Sequence, residues 1–545
     1  MTESDPIGYV NFDSTSSSSN ELEIRVPAEH LQGIRRGQYI RIASSINGQK
    51  VNFFSRISRG PFFVPDAVSK DSAFARAAIL HAGEIKFRPD FHGLCYAELV
   101  GQLNLDEMKT YGTFIRPGPQ AAVYPLTGVE IERLLELSGD MYLGVLDGYP
   151  DVRVRIPSNK NAALPRNIGI FGTVGSGKTN TSQVLIEEAA SHNWAVVVLD
   201  VEGEYVNMSN PSRQRSLESV FKRFGIEPKG VENLHVYHPI GTEPASPNST
   251  PFGIRFSRFQ PEVIAEILGL TQPQADRFFE TWHFLAARST STQKGSRTSA
   301  GFVRSMMQSF EGGPAIGVTL ADVLEQLDTL LEDTEHTKGV NRTSFYVLRR
   351  RLRTLERYQI FDTKNNLGDY SDLVSANRVS VIDLSGSSNV EINNLIIFDL
   401  LKGIFGLKLN DRDGVLPPTM VAIEEAHTFV SRENVGRMEE TLNVLREISR
   451  RGRKRWMSLC FISQQPSHLP QEIYELCNTK FAHQTTGGKN LDAIKGATGG
   501  VDPGVWDDVP RLGQGTCLFV SSFFKNRPMF INMRPAASER RMVEE

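Results

Sequence analysis

The hydrophobic pattern changes character twice along the chain. Early on, ELEIRV, GQYIRIAS and QKVNFFSRIS are short β-rich runs broken by Gly, Ser and Asn, which predicts strands closing into a small barrel. The serine run Ser16 to Ser19 reads as a hairpin tip, and FVPDAVSKDSAFARAAILHAG as a helix inserted between strands. Proline and glycine become frequent from Gly112 to Pro119, as at a linker, so the first domain is expected over residues 1–111, with the core beginning near Val123. From 252 to 358, PEVIAEILGLTQPQADRFFETWHFLAA and TLADVLEQLDTLLED carry apolar residues at helical spacing and predict a helical insertion. Within it, RSTSTQKGSRTSA (Arg288 to Ala300) is small, polar and basic, and reads as a loop. Strand and helix alternate in 112–251 and again in 359–545, from RVSVIDLSG to INMRP, which implies one mostly parallel sheet interrupted by the insertion.

The chemistry follows the strands. Ile168 to Phe171 is an apolar run that leads directly into GTVGSGKT, a phosphate-binding loop of Gly172, Thr173, Val174, Gly175, Ser176, Gly177, Lys178 and Thr179. Its glycines let backbone N–H groups turn toward a polyphosphate. Lys178 reaches the β and γ phosphates, Thr179 offers a hydroxyl to Mg²⁺, and Asn180 opens a helix whose positive end adds to the site. ATP and Mg²⁺ are therefore the expected cofactors.

In PTMVAIEEAHTFV a strand ends at Ile423 before two carboxylates, which puts Glu424 toward the metal and Glu425 toward the attacking water as general base. SLCFISQQPS delivers Gln464 at another strand end, where an amide can sense the γ phosphate. VVVLDVEGEY brings Asp200 and Glu204 to the same edge. Before the Gln464 strand, LREISRRGRKR carries Arg446, Arg450, Arg451, Arg453, Lys454 and Arg455. Such a cluster suits a solvated helix end, an arginine finger for a neighbouring subunit, or phosphate contacts to DNA.

Composition narrows the setting. With 545 residues, 40% of them hydrophobic, there is material for several cored domains. The net charge of −3 gives no global signal for nucleic acid, so any DNA contact is local. No apolar run approaches membrane-spanning length and MTESDPIGYV lacks the features of a signal peptide, which leads to the expectation of a cytoplasmic protein. Cys95, Cys460, Cys477 and Cys517 lack metal-ligand spacing and read as reduced, structural residues. A charged fraction of 23% with many Ser, Asn and Gln points away from a hyperthermophile.

The order GTVGSGKT, LDVEGEY, VIDLSG, AIEEAH, RRGRKR and ISQQPS resembles the HerA family of hexameric DNA translocases, within the HerA/FtsK class. The early IGYV and RRGQYIRIAS are similar to that family's N-terminal HAS barrel, so the likeness spans nearly the whole chain. It implies an α/β fold: a RecA-like P-loop ATPase core with a helical insertion, preceded by the barrel. By that likeness Lys178 and Thr179 are the phosphate-loop residues, Glu425 the catalytic glutamate, Gln464 the sensor and Arg450 the intersubunit arginine, with Arg451 and Arg453 as alternatives for that role. Glu424 stands where the family has aspartate, one methylene longer.

The resemblance further implies a homo-hexamer with double-stranded DNA in its pore and an effector docked on the barrel. That effector would be a nuclease of the NurA kind, or a sirtuin-type NAD hydrolase in a bacterial antiviral defence setting. Arg432, Arg437, Lys294 and Arg297 are candidates for lining the pore. A DEAH-box helicase is the competing assignment for AIEEAH, but there the arginine motif lies in a second domain well downstream. A ring that binds ATP only to assemble and activate an effector, without translocating, shares the same motifs.

Overall fold

In the computed structural model, residues 5–12, 21–66, 68–69, 71–80, 90–292, 317–332, 342–367, 370–431 and 438–541 are described. Ser16 to Ser19, Lys294, Arg297, Arg432 and Arg437 lie outside them. The chain forms two compact units. One comprises 1–138 with 145–155 and 502–507; the other comprises 139–144, 156–501 and 508–545.

The first unit is built on β1 (Gly8–Val10), β2 (Glu21–Pro27), β3 (Tyr39–Ile46), β4 (Gln49–Pro65), β5 (Phe91–Asn104), β6 (Lys109–Tyr111) and β7 (Ala122–Pro125). The order β2-β1-β7-β3-β4-β5 closes on itself through an antiparallel β2–β5 pairing, with β6 added beside β5. Alternation drives the closure: Leu22, Ile24, Val26, Ile40, Ile42, Phe53, Cys95, Ala97 and Val123 all turn into one core. The expected helix between strands is Ala73–Leu80. The expected boundary at 111/112 falls too early, because β7 seats between β1 and β3 and the unit continues to Ser138. The Pro- and Gly-rich stretch before β7 is a crossing loop within this unit.

The second unit carries β10 (Ile168–Phe171), β11 (Ala195–Asp200), β12 (Leu234–Pro239), β13 (Thr250–Phe252), β14 (Val379–Asp383), β15 (Thr419–Ile423), β16 (Met457–Ser463), β17 (Thr479–His483), β18 (Thr516–Ser521) and β19 (Met529–Met533); β8 (Met141–Leu146) and β9 (Tyr149–Ile156) precede them in the chain. The sheet order is β13-β12-β14-β11-β15-β16-β10-β17-β18-β19. It is parallel from β13 to β17, and β18 and β19 then add antiparallel. Strands β10, β11, β14, β15 and β16 are buried along their whole length, which is why they read as continuous apolar runs.

Between β13 and β14 lies the helical insertion, with helices Pro261–Ile267, Gln272–Thr292, Leu320–Glu332 and Arg342–Arg357. Leu320, Val323, Leu324, Leu327 and Leu331 form one buried stripe, and Phe345, Leu348, Leu352 and Leu355 another; the two helices pack together. The helix Gln272–Thr292 takes up the first residues of the expected polar loop, and the rest of that loop lies outside the described residues.

Candidate nucleotide site

In a parallel sheet every strand delivers its next residue to the same edge, and the register shows which residues meet there. Phe171 of β10 is level with Ser463 of β16, and Ile423 of β15 is level with Phe461. The phosphate loop, the Glu424–Glu425 pair and Gln464 therefore emerge side by side, with β16 in the middle.

The loop needs glycine. Gly175 and Gly177 have φ of 74° and 112°, and a side chain on Gly172 would run 2.6 Å from Ser176 Oγ and 2.7 Å from His483 Cβ. Lys178 starts the helix Lys178–Ser191 and its Nζ donates to the Thr173 carbonyl at 2.9 Å. Burial lowers its pKa, while Glu425, Glu204 and Glu424 oppose that shift. Thr173 is tied to β17 by its N–H and hydroxyl, both donating to the Gln484 carbonyl at 2.8 and 3.0 Å. Behind the loop His483 is fully enclosed, and its Nε2 sits 2.8 Å from Thr181 Oγ1. Burial, followed by the nearby Lys178 charge, pushes its pKa down to about 3, so this imidazole is neutral.

Both glutamates are buried. Glu424 reaches toward Asp200 on the neighbouring β11 and accepts a long 3.4 Å bond from the Glu202 N–H. Desolvation and then the Asp200 charge raise the Glu424 carboxyl well above the ordinary range. Asp200 also accepts the N–H groups of Gly203, Glu204 and Tyr205 at 2.7, 3.1 and 2.9 Å, which folds the loop after β11 back toward the phosphate-loop helix. There the Tyr205 and Ser182 hydroxyls meet at 2.7 Å.

Glu425 is left-handed, with φ 42° and ψ 49°. A non-glycine residue held this way stores about 1–3 kcal/mol, and such strain clusters at functional positions. Its Oε2 accepts from the Gln464 N–H at 3.4 Å and lies 3.1 Å from His427 Nδ1. The oxygen donors of Glu424 and Thr179 suit a hard cation such as Mg²⁺, and the glycine cradle beside Lys178 suits a polyphosphate.

The structure thus gathers Gly172 to Asn180, Glu424, Glu425 and Gln464. It keeps Arg450 apart. The helix Glu439–Arg451 ends ahead of β16, so the basic cluster sits where that strand starts, at the far edge of the sheet. Arg446 pairs with Glu472, Arg451 with Glu447, and Arg453 donates to the Asn161 carbonyl. Arg450 is exposed and makes no ion pair among the described residues. A cavity of about 920 Å³ opens at that edge beside Lys454 and Arg455.

Sequence reasoning missed the C-terminal segment. Arg534 is buried between Glu187 and Glu188 of the phosphate-loop helix, at 2.9 and 3.0 Å. Asn180 exchanges bonds with the Arg534 carbonyl and the Ala536 N–H at 2.9 and 2.8 Å. The dense polar run RPAASERR was the available signal.

The helicase HerA central domain, as a family, matches residues 141–404. The chain is 23% identical over 424 residues to the DNA double-strand break repair helicase HerA of Pyrococcus furiosus, covering 70% of this chain and 67% of that protein. It is 21% identical to the probable DNA double-strand break repair helicase HerA of Methanocaldococcus jannaschii, covering 91% and 90%. The chain thus carries a HerA central domain over residues 141–404 and is similar to HerA helicases along most of its length. Among solved structures, VirB4 of Thermoanaerobacter pseudethanolicus is similar, at a TM-score of 0.46 and 16% identity, covering 73% of this chain and 96% of that one. The core is a P-loop ATPase fold, and no helix among the described residues is long and apolar enough to cross a membrane.

Proposed function

We propose that the chain hydrolyses ATP and uses the turnover to move double-stranded DNA through a homo-hexameric ring. One observation carries this reading: Lys178, Glu424, Glu425 and Gln464 converge at one edge of the sheet, while Arg450 stands exposed at the other. Phosphoryl transfer needs a cation opposite the transferring group, and a ring supplies it by apposing one subunit's far edge to the next subunit's site. In this arrangement Lys178 and the loop amides bind and orient the phosphates, and Glu425 takes the proton of the attacking water. Gln464, bonded through its backbone to Glu425, reports the state of the phosphate. Mg²⁺, held by Thr179 and Glu424, neutralises charge on the phosphates when bound.

The barrel is the proposed dock for an effector, either a nuclease or a NAD hydrolase, in antiviral defence or DNA end processing. Support comes from an exposed apolar surface on its long hairpin: Phe62 and Phe63 of β4, Phe91 of β5, and Ile79 and Leu80 of the helix between them.

The test is ATP turnover by the full chain, with and without duplex DNA, across a salt series. DNA is expected to stimulate turnover, with an effect that fades steeply as salt rises and shows little sequence preference. Lys178→Ala should lose ATP binding altogether. Turnover indifferent to DNA at low salt would point instead to a ring that binds ATP only to assemble its effector.

A further inference from the structure

The segment after β19 lies along the nucleotide site. After Arg534 and Ala536 clasp Asn180, Ser538 donates its N–H and hydroxyl to Glu187 at 2.8 and 2.7 Å, and the Arg541 N–H bonds the Glu204 carbonyl at 3.0 Å. Between these anchors Arg540 pairs through Nη2 with the Glu204 carboxylate. Glu204 is itself fixed by its N–H to Asp200, the β11 residue toward which Glu424 reaches. Arg540 therefore stands one residue away from the metal-side carboxylates.

Two features of Arg540 are not explained by an ordinary ion pair. Its Nε is buried without a hydrogen-bond partner among the described residues, although a guanidinium has five donors to satisfy. Its charge also lies near that of Lys178, where two cations repel unless an anion comes between them. A polyphosphate cradled by the loop supplies that anion. Arginine's planar fork can hold Glu204 on one side and a phosphate oxygen on another.

We propose that Arg540 contacts the phosphate chain of the nucleotide bound to its own subunit, and that Glu204 positions it for that contact. The inference rests on the ATP-binding reading above. It assigns the site a cation beyond the phosphate-loop lysine, contributed in cis by the end of the fold.

The experiment is equilibrium binding of methylanthraniloyl-labelled ATP and AMP to the full chain. Arg540→Ala is expected to weaken the ATP probe roughly 10- to 100-fold, the cost of one charge-assisted hydrogen bond, while AMP binding changes little. Arg540→Lys should recover part of the loss, and Glu204→Gln should fall in between. Arg213→Ala, which removes an exposed pair with Glu539 on the same segment, should leave both affinities and the melting temperature unchanged.

Wild-type ATP affinity in Arg540→Ala, alongside its loss in Lys178→Ala, would overturn the proposal and leave the ATP reading intact. An equal loss of ATP and AMP binding with a lowered melting temperature would also overturn it, by marking a structural role. Absence of ATP binding to the wild-type chain would remove the parent reading instead. Mixing Arg540→Ala with Lys178→Ala chains should restore no turnover, because both groups serve one site; recovery would contradict action in cis.

Discussion

His427 sets its Nδ1 3.1 Å from the Oε2 of Glu425 and 3.2 Å from the Ser463 hydroxyl, bridging two strand ends. The ring thus holds the one carboxylate whose orientation matters for a proposed general base. Glu425→Gln should lower ATP turnover roughly 10²- to 10⁴-fold with ATP affinity retained. His427→Ala should cost on the order of tenfold in kcat with little change in KM, as expected for the loss of one positioning bond. Steady-state kinetics on both variants separate the base from its support, and a wild-type rate in Glu425→Gln would refute the assignment.

Arg450 has no ion-pair partner among the described residues, so its removal should leave the fold and ATP binding unchanged while turnover falls by about 10³-fold or more. When Arg450→Ala chains are mixed with Glu425→Gln chains, some interfaces pair an intact glutamate with an intact arginine. Partial recovery of turnover is expected, with mixed assemblies verified by native mass spectrometry. No recovery in proven mixed assemblies would exclude a trans role.

His483 gives the stability of the core a defined response to acid. Its folded pKa of about 3 lies below the ordinary histidine value of about 6.5, so the unfolded chain takes up a proton that the folded chain refuses. The stabilisation is complete above the unfolded pKa and is lost as pH falls below it. Between pH 7 and pH 5 this one residue should account for about 2 kcal/mol. Chemical denaturation of the wild type and of His483→Gln over that range should show a shallower slope for the variant.

Arg534 is the most exposed to failure among the structural charges. Its removal leaves Glu187 and Glu188 facing a buried gap, and Arg534→Met should destabilise the core by about 3–5 kcal/mol. A melting temperature within a degree of wild type would show the cluster to be relaxed by water.

Much of the site was legible because it lies at strand ends. A buried run followed by a polar residue fixes both the strand and the edge to which that residue is delivered, which is why Lys178, Glu424, Glu425 and Gln464 could be assembled without coordinates. The barrel was visible from alternation in β2 and β3, but β7 was not. AVYP is four residues long and acquires its meaning from β1 and β3, far upstream. Arg534 and Arg540 gave no reading from the sequence, because their partners lie more than 300 residues away. His483 carried no signal at all, since a histidine ending a buried strand gains its role only from what packs above it.

The clasp of Asn180 by residues 534 and 536 also bears on biosynthesis. The two halves are separated by 354 positions or more. At roughly 5–20 residues per second, a ribosome needs about 20–70 s to travel between them. The phosphate-loop helix thus emerges long before the segment that fixes its first turn. A nascent chain holds an unfinished nucleotide site for that interval, and the clasp closes only once translation has passed residue 536.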